Sequence, residues 1–269
     1  MNRRGAEVRE VAMDQTKKGW KIPFNHIEDE ISCYKKVFLY FNVPHNPTGM
    51  TYSRDELKEI VDWAIKHNVK LIVDEAYDDI RYDDSVSILE IPGWEKCCIV
   101  LRSVSKGYNA TGLRFGYIIA HPTAIKALRK AMDVKDSGLF GPSIAAGLAC
   151  LRNPDWALET NQRYKELHRL LSRGLKEAGF EDAGMPGGGL CQLTKAPRSI
   201  DGYCFESLVE CVQYFRQKLR ISVMHYEVNN DWFFRWAVTF RPMPKYGLPT
   251  EESVIQEAVS RLQQVKLKF

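Results

Sequence analysis

Three short apolar runs, each ending in a cluster of polar residues, constrain this chain more than any other feature. Val37–Phe41, Val69–Val73 and Cys97–Leu101 each read as a buried strand. The first leads into Asn46-Pro47-Thr48-Gly49, which neither continues a sheet nor starts a helix cleanly. The second ends in Asp74-Glu75-Ala76-Tyr77, and the third in Ser103-Val104-Ser105-Lys106. Between the first two runs lies a helix signature, a capping box at Ser53 and Glu56 followed by Leu57, Ile60, Val61, Ala64 and Ile65 at helical spacing. Strand, helix, strand on this scale is a parallel crossover unit. In open parallel sheets ligands bind at the carboxyl ends of the strands, so the three polar clusters are predicted to share one edge.

The chemistry of that edge is suggested by Lys106 and by Arg114 in Gly112-Leu113-Arg114-Phe115-Gly116-Tyr117. A buried lysine forms a Schiff base with a carbonyl once its amine is partly neutral. Serine hydroxyls and a two-pronged guanidinium suit the oxygens and double charge of a phosphate. Together they fit an aldehyde cofactor carrying a phosphate. Taken alone, the same stretch fits a polar loop after a buried strand equally well.

Asn46-Pro47-Thr48-Gly49, Asp74-Glu75-Ala76-Tyr77, the Ser103/Ser105/Lys106 cluster and Arg114 resemble the large-domain signature of class I/II aminotransferases, the aspartate-aminotransferase superfamily of pyridoxal-phosphate enzymes. A late arginine, Arg235 in Phe234-Arg235-Trp236-Ala237-Val238, is similar to the family's substrate-carboxylate arginine. The resemblance runs from about residue 5 to the end and implies the α/β fold type I, a mostly parallel sheet with flanking helices plus a smaller C-terminal α+β domain. It implies that Lys106 holds pyridoxal 5'-phosphate and then serves as the base that moves the Cα proton. Asp74 is implied to keep the pyridine nitrogen protonated, making the ring an electron sink. Tyr77 and Asn46 would bond the ring's phenolic oxygen, and Ser103, Ser105 and Arg114 the phosphate. Arg235, beside Asn46, would clamp the substrate's α-carboxylate.

Each residue also has a plainer reading. Asp74 fits a helix cap at a strand-to-helix turn, and Tyr77 a half-buried core aromatic. Arg235 fits a partner for a structural carboxylate, with Arg241 as a rival for the ligand role. Pro47 fits an ordinary trans turn, whereas the resemblance implies a cis bond.

Composition excludes some classes. With 38 basic against 34 acidic side chains the formal charge is +4, too slight to argue for nucleic acid or an anionic membrane surface. No apolar stretch has the length of a membrane span, and the start carries no signal-like apolar core. The seven cysteines show no metal-ligand spacing and read as reduced core thiols of a cytoplasmic protein, with Cys204 and Cys211 two helical turns apart. There is no dinucleotide or P-loop glycine motif, and the six histidines form no zinc pattern.

Beyond Pro154-Asp155 the texture changes. A long helix is predicted to about Ala178, burying Trp156, Tyr164, Leu167, Leu170, Leu171 and Leu175, with a bend at Gly174. Pro186-Gly187-Gly188-Gly189 then punctuates the entry to a strand at Leu190–Leu193, and Glu206–Leu219 reads as another helix. The domains expected are 1–160, a partial large cofactor-binding domain, and 161–269, a small C-terminal domain. Two departures from the family pattern stand out. Ala6–Val11 reads as an early strand, and the family's first third, with its phosphate-binding helix N-terminus and ring-stacking aromatic, is not found before it. Ile221–Asp231, with His225-Tyr226-Glu227-Val228-Asn229, replaces the loop that usually precedes the carboxylate arginine.

The function expected is a pyridoxal-phosphate-dependent aminotransferase exchanging an amino group between an α-amino acid and a 2-oxo acid. Lys135-Asp136-Ser137-Gly138, after a helix at Thr123–Met132, points to its aspartate or LL-diaminopimelate branch. The alternatives are a lyase or decarboxylase on the same scaffold, or a shortened, non-catalytic binding or regulatory module. The partners expected are the two substrates and a second subunit or another polypeptide that completes the site, and weak cofactor binding is expected of the 269 residues by themselves.

Overall fold

The computed structural model describes residues 6–16, 19–133 and 138–269, and these form two compact units, Met1–Val37 and Phe38–Phe269. In the first unit, β1 (Asp14–Thr16) and β2 (Gly19–Lys21) pair antiparallel, and α1 (Phe24–Ile31) follows. The early strand expected at Ala6–Val11 is absent, and those residues carry no regular secondary structure. Side-chain bonds hold the segment instead: Glu7 accepts from Tyr34 and from Arg9, each at 2.8 Å.

The second unit opens on the sheet that the apolar runs predict. Its order is β3 (Val37–Asn42), β4 (Val69–Asp74), β5 (Cys98–Ser103) and β6 (Gly116–Ala120). β4 and β5 run parallel, with Asp74 opposite Leu101, while β6 returns antiparallel to β5. The crossover from β3 to β4 is α2 (Arg54–Lys66), whose capping box at Ser53 and Glu56 forms as expected. Leu57, Ile60, Val61 and Ala64 are buried, but Ile65 is exposed at the edge of the stripe. β3 departs from the fully buried reading. Phe38 and Tyr40 are 58% and 57% exposed, and of the five expected core residues only Phe41 is buried. β5 leads straight into the short helix α3 (Val104–Gly107), β6 into α4 (Pro122–Met132), and α5 (Gly141–Arg152) follows.

The long helix α6 (Asp155–Glu177) runs unbroken through Gly174. That glycine serves close packing rather than a bend, because a Cβ there would lie 2.3 Å from Val259 on α8 (Glu251–Gln263). Tyr164, Leu167, Leu171 and Leu175 are buried, whereas Trp156, at the first turn, is half exposed. The face packs on a sheet ordered β10 (Met224–Val228), β11 (Asp231–Ala237) and β7 (Cys191–Lys195). Phe180, Phe215 and Phe234 are fully buried in this core, with Phe215 edge-on to Phe234 at 4.7 Å between centroids. A small sheet of β8 (Ser199–Ile200), β9 (Tyr203–Cys204) and β12 (Leu267–Lys268) lies at its margin.

The expected helix at Glu206–Leu219 is α7 (Leu208–Tyr214) extended by a π-helical turn over Phe215–Leu219. Ile221–Asp231 is not a loop but contains β10 and its hairpin into β11. Asn229 and Asn230 both have positive φ, 51° and 66°, the backbone that a tight two-residue hairpin requires and asparagine tolerates. Cys204 sits in a strand and is exposed, as is Cys33, so these two thiols are not core residues; the other five are buried. Lys135, Asp136 and Ser137 lie outside the described residues. Among the described residues no helix is long and apolar enough to cross a membrane, and no His/Cys/Asp/Glu group is placed to hold a metal ion.

Candidate active site

The polar clusters meet at the carboxyl ends of the strands. The Val43 N–H donates to the Asp74 carbonyl at 3.0 Å, and the Glu75 N–H to the Leu101 carbonyl at 2.8 Å, which brings the ends of β3, β4 and β5 level. From that edge the predicted residues form a connected series. Asn46 Nδ2 lies 3.5 Å from the Tyr77 hydroxyl, Arg235 Nη1 donates to Asn46 Oδ1 at 3.2 Å, and Lys106 Nζ lies 5.7 Å from the Tyr77 ring centroid. Arg235 arrives from β11, far along the chain, so the closing contact joins the β10-β11-β7 sheet to the strand-end loop. The Asn46–Pro47 bond is cis, as is Val43–Pro44.

The serine cluster is tied to the turn after it. Ser103 Oγ lies 3.0 Å from the Phe115 carbonyl and 2.9 Å from Ser105 Oγ, and it accepts the Ser105 N–H at 3.1 Å. Arg114, beside Phe115, is exposed with φ 52°, and its Nη1 donates to the Thr111 carbonyl at 3.1 Å. Asp74 Oδ1 accepts the Ala76 N–H at 3.0 Å, and because a turn rather than a helix follows β4, this is a local turn bond and not the helix cap of its plainer reading. Asp74 Oδ2 accepts from the Tyr40 hydroxyl at 2.9 Å.

Below the edge, Glu75 is an anchor that the motif alone does not reveal. It is 1% exposed and accepts from Ser87 Oγ, from the Ile88 N–H at 2.8 Å, and from Arg102 Nη2 at 2.8 Å. Arg102 reaches Asp78 Oδ2 at 2.6 Å as well, and Arg81 donates to Asp78 Oδ1 at 2.7 Å. A buried carboxylate so paired fixes the backbone on either side of it: Asp74 on one strand and, through Arg102, Ser103 on the next.

The glycine run brings chain against chain. A Cβ on Gly188 would lie 2.6 Å from the Ile80 carbonyl oxygen and 2.7 Å from the Pro44 ring, and Gly187 packs against Thr51 and Asp83. Gly49 is its counterpart, with φ 70° and space for a Cβ only 2.4 Å from Pro186 Cβ and 2.7 Å from the Cys191 carbonyl oxygen. Gly49→Ala is therefore expected to cost roughly 2–4 kcal/mol of stability, a strained φ plus a clash with backbone, measurable as a lower urea midpoint.

Burial raises the Tyr77 phenol, with Cys191 adding to the effect and Arg235 opposing it. Cys191 is the residue that sequence reasoning missed here. Its thiol is raised chiefly by burial and lowered by Arg235 and Lys106, so this buried core residue feels both charges. Its only signal in the sequence is position, directly after the glycine run. Arg241, the rival arginine, is exposed, whereas Arg235 is half-buried and its Nε is buried without a hydrogen-bond partner. Such an orphaned donor is costly unless an anion meets it.

The donor set fits a phosphorylated aldehyde and a carboxylate. Lys106 supplies an amine, Asp74 a carboxylate, Ser103 and Ser105 hydroxyls, Arg114 a guanidinium, and Arg235 an unmet N–H.

Comparison with known proteins gives the family. Residues 1–232 match the family model for aminotransferase class I and II. LL-diaminopimelate aminotransferase from Methanocaldococcus jannaschii is 31% identical over 249 residues, 90% of this chain and 59% of that protein. The enzyme of the same name from Methanococcus maripaludis is 32% identical over 235 residues, 86% of this chain and 56% of that protein. An aminotransferase structure from Staphylococcus aureus superposes with a TM-score of 0.78 at 22% identity, covering 94% of this chain and 64% of that one, which shows the fold. The chain thus spans a little under three-fifths of the length of these two curated relatives. The fold is that of the type I aminotransferases, the family is one that uses pyridoxal phosphate, and this chain belongs to the class I and II aminotransferases.

Proposed function

We propose that the protein carrying this chain is a pyridoxal-phosphate-dependent aminotransferase that moves an amino group between an α-amino acid and a 2-oxo acid. The observation that carries this reading is the series Arg235–Asn46–Tyr77–Lys106, which unites four separated motifs at one strand-end edge. Both relatives described above are LL-diaminopimelate aminotransferases, which supports that branch over the aspartate one. Residues 1–160 are assigned to the cofactor side and 161–269 to the small domain, in a cytoplasmic enzyme that works as a homodimer.

In this reading Lys106 holds the cofactor through its amine, Ser103, Ser105 and Arg114 hold its phosphate, and Asp74 faces its ring nitrogen. When bound, the cofactor supplies an electron sink for the pair left behind when a bond to the substrate's Cα breaks. Arg235 receives the α-carboxylate on its fork and keeps the reacting carbon in place. Asn46, between Arg235 and Tyr77, couples the substrate side of the site to the cofactor side. Lys106, once its amine is free, would take the proton from Cα and deliver it to the cofactor carbon that had carried the aldehyde, and the second half of the reaction would run the same transfer in reverse.

Arg235→Lys keeps the charge but loses the planar fork, so it is expected to raise KM for the amino acid by about 10-fold or more with the cofactor spectrum unchanged. Arg241→Lys is expected to leave KM within a factor of about 2, because an exposed arginine loses little on this change. Steady-state kinetics on both variants check this; the opposite pattern would exchange the two arginines. Analysis of products from a panel of amino and 2-oxo acids then tests the reaction class, since a lyase or decarboxylase gives no amino acid from the oxo acid.

A further inference from the structure

We propose that Tyr40 is a positioning residue for the cofactor's ring-nitrogen partner, acting through Asp74. This rests on the assignment of Asp74 to the ring nitrogen above. Asp74 ends β4, and Tyr40 stands on the neighbouring strand β3, so the two meet across the sheet rather than along the chain. The Tyr40 hydroxyl donates to Oδ2 at 2.9 Å while the Ala76 N–H donates to Oδ1 at 3.0 Å. A carboxylate held at one oxygen only still rotates about its Cβ–Cγ bond. Held at both, its plane is set, and each oxygen keeps a lone pair for a further donor.

The bond also needs its donor protonated. Tyr40 itself is a dependable donor: partial burial and the adjacent Asp74 push its phenol up to about 12, so it remains protonated throughout the neutral range. Tyr40 is otherwise a poor core residue. With more than half its surface exposed on a strand whose other exposed apolar side chain is Phe38, its ring contributes little packing, and its hydroxyl is the part engaged.

The test is a double-mutant cycle read by cofactor affinity and by the magnetic resonance shift of the isotope-labelled ring nitrogen of pyridoxal phosphate. Tyr40→Phe is expected to weaken cofactor affinity by about 5- to 10-fold, the scale of a partly solvated hydrogen bond to a charged group, and to move the nitrogen shift toward the unprotonated ring. In an Asp74→Ala background the same change is expected to alter affinity by less than a factor of about 2, because the group it acts through is gone. Equal losses in both backgrounds, or an unmoved nitrogen shift in Tyr40→Phe, would overturn the role of Tyr40 while leaving the cofactor assignment standing. A parent protein that takes up no pyridoxal phosphate at all would overturn the functional reading, and this inference with it.

Discussion

Lys106→Ala is expected to abolish both covalent attachment of pyridoxal phosphate and turnover, while leaving the melting temperature of the cofactor-free protein within a few degrees of the parent. Lys106 lies in the short helix α3, flanked by the buried Val104 and Gly107 that anchor the turn. Gly107 packs against Asp79, and Ser103 and Ser105 hold the helix start through their own bonds. None of these contacts needs the lysine amine. Removing it therefore removes chemistry without removing support. The amine has two proposed tasks, holding the aldehyde carbon and moving the Cα proton, and no neighbouring amine among the connected residues can take either. A loss of at least about four orders of magnitude follows if both tasks fail together, as group effects at one centre do not add. Absorbance of the bound cofactor, turnover and a thermal melt on the same preparation check it. A variant that keeps the covalent absorbance would place the attachment elsewhere.

Asp74→Asn is expected to lower turnover on the order of a thousandfold with the fold intact. The amide oxygen can still accept the Ala76 N–H, and the amide NH2 then faces the Tyr40 oxygen, which can accept from it, so the turn geometry survives the change. What it cannot do is stabilise a positive charge on the ring nitrogen, and charge placed against a developing charge in a dry site is the largest single term in most such reactions. The measurement is kcat with saturating cofactor, beside a denaturation curve. Near-parent turnover would reduce Asp74 to a structural role, its bonds to Ala76 and Tyr40.

Much of this site was legible because its signals are local. The Ser53 cap, the stripe on α2 and the polar ends of β4 and β5 each declare themselves within a few residues, and the helical stripe of α6 spaces its buried leucines by turns. What was not legible depends on lateral neighbours. Tyr40 reads as one apolar residue in a run, and only the placement of β3 beside β4 brings its hydroxyl to Asp74. Gly174 reads as a helix bend because a sequence does not show the Val259 that fills its missing Cβ. Cys191 reads as a core thiol and is one, but the charge of Arg235 beside it shows only once β7 is paired to β11. The exposed Phe38 and Tyr40 misled in the opposite direction: an apolar run states what a strand could bury, and burial is decided by what packs over it.

The central claim is that these strand-end clusters form one pyridoxal-phosphate site with Lys106 as its covalent anchor. Borohydride reduction of the cofactor-loaded protein, followed by digestion and mass spectrometry, reads that anchor directly. The predicted result is a single phosphopyridoxyl label on the peptide containing Ser103, Ser105 and Lys106, placed on Lys106 by fragmentation; a label on any other lysine, or none at saturating cofactor, would contradict it.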